Sequence, residues 1–471
     1  MDCLFISPDS SRESYQGLAQ DYSAIELPTW AVLLAGALRS RFEVSILDPL
    51  AEGLTDEQAM ARVLDAKPRY VCFVVYGQNP NSGTTNMAGA ERLARLLKAA
   101  CGVPLVFIGS HVSALPEQSL ELPYVDYVLP GDGLQALEFL LEYGAAPQVM
   151  WGQPTQSFPH GYAWDMLADF SRYRAHDWHA NYGARSPAAA IYTSLGCPFK
   201  CEFCMINLVN RSRPSQLNAS ESAGMRKLTS EERLLAEFEH LRDRGVRNVR
   251  ISDEMFFLDR RHYAPIVQGL IDRNLGLNLW AYARVDTVRP EYLEQFKRAG
   301  INWLALGIEA GNQNIRREAS KGSFEDTDVR QMVREIQAHG INVVGNYIFG
   351  LPDDTLDTMR QTLDLALELQ TEHANFYPCM ALPGSPLARR ALSDGALEGP
   401  RTWSSYGFLA YDCMPLPTKM LSAAEVLRFR DGAWHTYFTD PGYLELVERK
   451  FGTSEHLRTQ AAVTLKRKLL E

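Results

Sequence analysis

Residues 193–205 read TSLGCPFKCEFCM and place Cys197, Cys201 and Cys204 in a C-x3-C-x2-C array. The array begins just after the apolar run AAAIYTS (188–194), so the thiols lie on a loop at a strand end. Such a loop can fold three thiolates around one centre, with Gly196 and Pro198 turning the chain at the first of them. Three thiolates anchor three irons of a [4Fe–4S] cubane and leave the fourth iron without a protein ligand. An open position is what a catalytic metal site requires. Structural zinc is the rival reading, but no fourth Cys or His stands at finger spacing.

Working outward, residues 187–395 alternate strand and helix signals. Strand-length apolar runs follow at NVRIS (248–252), LNLWAYA (277–283), NWLALGI (302–308), NVVGNYIF (342–349) and residues 374–379. A phrase recurs before them, as RGVRNVRI, LGLNLWAY, AGINWLAL and HGINVVGN: helix end, Gly, apolar residue, strand. The Gly serves as a left-handed helix cap. Thr229 and Glu232 have the spacing of a capping box. Six such units are too few for a closed eight-stranded barrel, so the block predicts a partial, open (β/α)6 barrel.

Residues 1–145 repeat the alternation with short, fully apolar strands at 2–6, 43–48, 70–75, 104–108 and 126–129, the pattern of a doubly wound parallel sheet. Ligands of such sheets bind at the carboxyl ends of the strands. Those ends carry Ser7, Tyr76-Gly77-Gln78, Gly109-Ser110-His111 and Gly131-Asp132-Gly133. The turn after the first strand, SPDSSRES, lacks the G-x-G-x-x-G of a dinucleotide site. Residues 146–186, rich in Pro, Gly, Trp and Tyr, read as a linker that packs on its neighbours. Residues 396–471 read as mainly helical, with a Ser422/Glu425 capping box.

The 471 residues are 46% hydrophobic and 22% charged, ordinary for a globular protein, and carry a net charge of −10. The acidic balance disfavours nucleic acid as a partner. No apolar stretch reaches the ~20 residues of a membrane span, and the opening MDCLFISPDS predicts no secretory leader. Sparse cysteines point to a reducing cytoplasm.

The cysteine array, with aromatic Phe203 before the third Cys, resembles the radical S-adenosylmethionine superfamily. That resemblance implies a free iron chelated by S-adenosylmethionine, an external one-electron donor such as flavodoxin or ferredoxin, and a 5′-deoxyadenosyl radical that takes hydrogen from substrate. It implies cofactor contacts from Phe203, from Asp253 and Glu254 at the second strand end, from Arg284 through a bidentate hold on the methionine carboxylate, and from Glu309 in GIEAG. Ala310 stands where the family has Ser. GNYIFGLPDDT resembles the family segment that cradles adenine, which implies a cofactor contact from Asn346. Asn346 and Tyr347 share the fifth strand, and alternation lets only one of them face inward. Tyr347, Asn375 and Tyr377 are the substrate candidates, and a polar small metabolite is the expected substrate. GSHVSALPE (109–117) and PGDG (130–133) resemble the cobalamin-binding domain that precedes many of these barrels. This implies cobalamin held by Ser7, Tyr76, Gly77, Gln78, Gly109, Ser110, His111, Gly131 and Gly133. The D-x-H-x-x-G ligand motif is missing, which leaves His111 as the nearest imidazole.

The branch resembled includes cobalamin-dependent methyltransferases, so methylation of an unreactive carbon is the leading expectation. Cobalamin-assisted cyclisation or oxidation, an RNA methylthiotransferase and a cobalamin-binding regulator remain alternatives. Cys3, Cys72 and Cys101, which a methylthiotransferase would need for a second cluster, read as small core residues. Anaerobic reconstitution is expected to load about four irons per chain, lost in Cys201→Ala; about eight would support the methylthiotransferase reading.

Overall fold

The computed structural model describes all residues of the chain except 19–20, 78–79, 159, 168, 207–224, 320–325 and 398–400. The first sheet contains β1 (Cys3–Ile6), β2 (Val44–Leu47), β3 (Tyr70–Val74), β4 (Leu105–Ile108) and β5 (Tyr127–Leu129). All pair in parallel, in the order β2-β1-β3-β4-β5. Alternate side chains serve opposite faces, which is why these strands are apolar throughout. Phe5, Cys72 and Ile108 pack with Trp30, Leu34 and Leu137 on one face. Leu4, Phe73 and Phe107 pack with Val63, Ala90 and Leu97 on the other. The order reverses between β1 and β3, and a crevice opens outside the carboxyl ends of two such strands.

The second sheet runs β6 (Ala188–Ile191), β9 (Asn248–Ile251), β10 (Asn278–Arg284), β11 (Ile301–Glu309), β12 (Asn342–Phe349) and β13 (His373–Pro378). Between β6 and β9 lies a short hairpin, β7 (Ser194–Leu195) with β8 (Arg226–Lys227), from which the cysteine loop emerges. The six strands pair in parallel and in sequence order, so the barrel is open. The recurring caps have the expected hand: Gly245, Gly276, Gly300 and Gly340 lie at φ +82, +66, +87 and +70. One cap differs from the reading. The helix Glu231–Asp243 is capped by Ser230, whose side chain accepts from Arg233 N, and not by Thr229.

An open barrel has two bare edges. Thr29 Oγ1 donates to Ala190 O of β6 at 3.3 Å. Arg430 Nε, from the helix Ala423–Phe438, donates to Phe376 O of β13 at 2.7 Å. That helix begins with the Ser422/Glu425 capping box. Residues between the sheets are packed rather than loose. Trp164 donates to Glu237 Oε2 at 2.7 Å, and Trp178 packs among Trp280, Trp303 and Val344 inside the barrel.

Tyr173 of the same segment sits over Asp48, whose carboxyl also accepts from Ala51 N. Burial pushes Asp48 up to about 7 from 3.8. The folded chain therefore keeps a proton that the unfolded chain releases at lower pH. The resulting penalty is absent at low pH, grows as pH rises from 3.8 to about 7, and is complete above that. Asp48→Asn removes it. The melting temperature of the variant relative to wild type is expected to climb across that window; a flat difference contradicts this.

Candidate active site

A cavity of about 1070 Å³ lies between the two sheets and extends into the barrel. Its walls include Cys197, Cys201, Cys204 and Phe203 from the loop after β6, and Glu254, Arg284, Glu309, Asn346, Asn375 and Tyr377 from the barrel. From the first sheet come Ser7 after β1 and Tyr76 and Gly77 after β3. These are the two strand ends that flank the reversal in strand order.

The loop holding the cysteines is fixed from below. Asp253 accepts from Thr193 N at 2.6 Å and from the hydroxyls of Thr193 and Ser194, and Thr193 Oγ1 also meets His262 Nε2 at 2.7 Å. Asp253 is 0% exposed and does not line the cavity. The expectation that it contacts the cofactor is corrected: its oxygens are spent on positioning the loop. Glu254 does face the cavity. Its Oε2 accepts from Gly196 N at 3.0 Å, directly before Cys197, while Oε1 is buried without a hydrogen-bond partner among the described residues. Burial pushes this carboxyl up to about 8. Such a group gains most from a cation brought against its bare oxygen.

Burial, with Cys201 and Cys197 nearby, pushes the Cys204 thiol up to about 12. Thiolates gathered this closely need a cationic centre among them. The three thiols stand on one short loop and all face the same cavity. The donor set therefore fits a three-legged iron–sulfur cluster. Asn81 joins the two halves here. Its Nδ2 lies 3.6 Å from Cys204 Sγ, and its Oδ1 accepts from Met205 N at 3.0 Å.

Arg284 differs from expectation. Its Nε and Nη2 are taken by Asp286 at 2.8 and 2.7 Å, and the guanidinium lies 3.7 Å from the Phe199 ring centroid. Nη1 is buried without a hydrogen-bond partner among the described residues, so the side-on Nε/Nη2 fork is taken and Nη1 is the nitrogen left for a ligand. Glu309 ends β11 at φ +66, where the register with β12 shifts. A side-chain-bearing residue in that region is strained, and a bulge re-aims the carboxylate toward the cavity.

Alternation on β12 decides between Asn346 and Tyr347. Asn346 faces inward and accepts from Asn375 Nδ2 at 3.0 Å and Tyr377 OH at 3.4 Å. Tyr347 faces outward, 0% exposed and stacked on Phe376 at 5.5 Å, so it is no substrate contact. Gly109, Ser110, His111, Gly131 and Gly133 also stay off the cavity wall. His111 is buried, bonded to Thr84 at 3.0 Å and set edge-on to Trp403 at 4.9 Å. Its Nδ1 is engaged within the packing of the first sheet. Gly131 N is instead bonded to Ser113 Oγ at 2.9 Å, a turn-forming role. Gln78 lies outside the described residues.

On the first sheet's side the cavity wall carries Tyr76 and Gly77. Tyr76 stacks on Trp30 at 4.9 Å, and its buried hydroxyl has no partner among the described residues. Gly77, at φ +73, has no room for a Cβ because Ser82 lies against it. Sequence reasoning missed several residues. Arg250 pairs with Glu26 at 2.7 and 2.5 Å, tying barrel to amino-terminal segment across the cavity. A charge in the middle of the apolar run NVRIS was the available signal, since a buried cation needs a partner. Asn81, and Tyr192, which lines the cavity edge-on to Trp30 at 6.0 Å, carried no pattern that distance along the chain could expose.

The comparisons agree with this geometry. The radical SAM superfamily model matches residues 191–366, and the B12 binding domain model matches residues 17–141. An uncharacterized methyltransferase of Pyrococcus horikoshii is 24% identical over 395 residues, covering 79% of each chain. An anaerobic magnesium-protoporphyrin IX monomethyl ester cyclase of Rubrivivax gelatinosus is 24% identical over 416 residues, covering 82% of this chain and 69% of that one. In fold, the chain is similar to TsrM of Kitasatospora setae, a radical S-adenosylmethionine methyltransferase solved with tryptophan and a SAM analogue. The TM-score is 0.65 at 16% identity, covering 100% of this chain and 97% of that one. The cobalamin-dependent radical enzyme OxsB gives 0.65 at 15%, covering 98% and 71%. Cysteine loop, open barrel and preceding sheet together identify the chain as a radical S-adenosylmethionine enzyme of the group whose barrel follows a cobalamin-binding domain.

Proposed function

We propose that this enzyme transfers a methyl group to an unreactive carbon of a small metabolite. The observation that carries the reading is the single cavity, walled by the three cysteines on one side and by the β1 and β3 ends on the other. When bound, the cluster with S-adenosylmethionine supplies radical chemistry, and cobalamin supplies methyl carriage.

The chain's own residues hold and orient. Cys197, Cys201 and Cys204 would hold three irons. Glu254 Oε1 would pair with the ammonium of S-adenosylmethionine and Arg284 Nη1 with its carboxylate. Glu309 and Asn346 would meet the nucleoside. Ser7, Tyr76 and Gly77 would lie against cobalamin, and His111 would supply no cobalt ligand. Asn375 and Tyr377 would face the substrate. Residues of segments 11–15 and 460–465 line the cavity and would help to keep water from the reacting atoms. Gln16 fastens them, donating to Leu409 O and Lys466 O at 2.7 and 3.1 Å. An external one-electron carrier of flavodoxin or ferredoxin type, in a reducing cytoplasm, completes the reading. No helix among the described residues is long and apolar enough to cross a membrane.

Two measurements check this. Turnover is expected to give S-adenosylhomocysteine and 5′-deoxyadenosine in step with methylated product; deoxyadenosine without homocysteine product would point to cyclisation or oxidation. Glu254→Gln is expected to weaken S-adenosylmethionine binding about ten-fold, the loss of roughly one charge-assisted contact, while iron content stays at the wild-type level.

A further inference from the structure

The edge of β13 carries a charge outside the set assigned above to the cofactors. Arg430 spends Nε on the edge carbonyl of Phe376 at 2.7 Å and Nη1 on Asp431 Oδ1 at 2.8 Å. Its Nη2 makes no hydrogen bond to any described residue. Arg467 takes the same Asp431 through Nε and Nη2 at 2.9 and 2.8 Å, with Nη1 on Ala410 O at 2.8 Å. Two guanidiniums, 2% and 3% exposed, therefore share one carboxylate.

The other groups nearby do not restore the balance. Burial pushes the Cys413 thiol up to about 11, so it stays neutral. Burial also raises the hydroxyl of Tyr377, which lies near both Arg430 and Glu309. Glu309 stands on β11, two strands away. A buried cation in excess is costly unless an anion joins it. Arg430 lines the cavity, and its guanidinium lies 5.5 Å from the centroid of Phe408, whose ring packs edge-on against Tyr377 at 5.0 Å.

We infer that Arg430 is a substrate-binding residue that takes a carboxylate or phosphate of the substrate, whose body lies against Tyr377 and Phe408. The inference rests on reading the cavity as the substrate chamber. It assigns the substrate class, a small organic anion with an apolar or aromatic body, and gives the carboxy-terminal helix a part in specificity.

The test uses the chain reconstituted anaerobically with cluster and cobalamin, and two matched probe pairs followed by calorimetry. The pairs are indole-3-acetate with indole-3-acetamide, and phenyl phosphate with phenol. In at least one pair the anion is expected to bind ten-fold or more tightly than its neutral partner, and that pair identifies the anion as carboxylate or phosphate. Arg430→Gln removes the preference. Asp431→Asn, which removes the competing carboxylate, enlarges it, and decides the matter if Arg430→Gln does not fold. Equal binding within both pairs, no anion binding at millimolar concentration, or a preference unmoved by these substitutions overturns the inference. Iron content and S-adenosylmethionine binding are measured on the same samples. If they are intact while the preference is missing, only the Arg430 assignment fails; if they are missing, the proposed function fails.

Discussion

The six parallel strands do not close into a barrel, and most of the molecule answers that gap. The sheet leaves β6 and β13 with unpaired backbone groups and leaves the interior hollow. The amino-terminal segment covers one edge through Thr29 and crosses the interior wall with Glu26, which meets Arg250. The carboxy-terminal helix covers the other through Arg430. Trp178, from the segment between the sheets, fills the far end. What remains is a chamber whose mouth faces the strand ends of the first sheet. The same incompleteness that would destabilise an isolated barrel makes room for two large cofactors and a substrate.

Charge inside that chamber is distributed unevenly. Arg250 and Glu26 are matched and serve the joint between the halves. Asp253 is consumed in holding the cysteine loop, while its neighbour Glu254 keeps one oxygen bare. Arg284 gives Nε and Nη2 to Asp286 and keeps Nη1 bare among the described residues. Leaving buried polar atoms without partners costs stability, so such atoms are informative about ligands. Here they cluster around the three thiols, where a zwitterionic amino-acid group would satisfy both signs.

The order of elements was legible because both sheets are parallel and buried, so their strands read as apolar runs and their helix ends as glycines. The three cysteines were legible because metal chemistry demands short spacing. Side-chain direction was legible only in part. Alternation allowed one of Asn346 and Tyr347 to face inward, but the sequence did not say which. Asp253 and Glu254 are adjacent acids at a strand end, and only the hydrogen bonds to Thr193 and Ser194 separate scaffold from site. His111 sits in a segment similar to cobalamin-binding domains, yet Thr84 and Trp403 enclose it. Contacts such as Asn81 with Cys204, 123 positions apart, arise from packing the two halves together and leave no periodic trace.

The central claim is that cluster and cobalamin occupy one chamber. Electron paramagnetic resonance of the reconstituted enzyme, with cobalt in its +2 state and the cluster reduced, tests it directly. The account predicts that the two paramagnets broaden and split one another's signals, and that Cys201→Ala leaves the cobalt signal sharp. A spectrum equal to the sum of two unperturbed signals would contradict it.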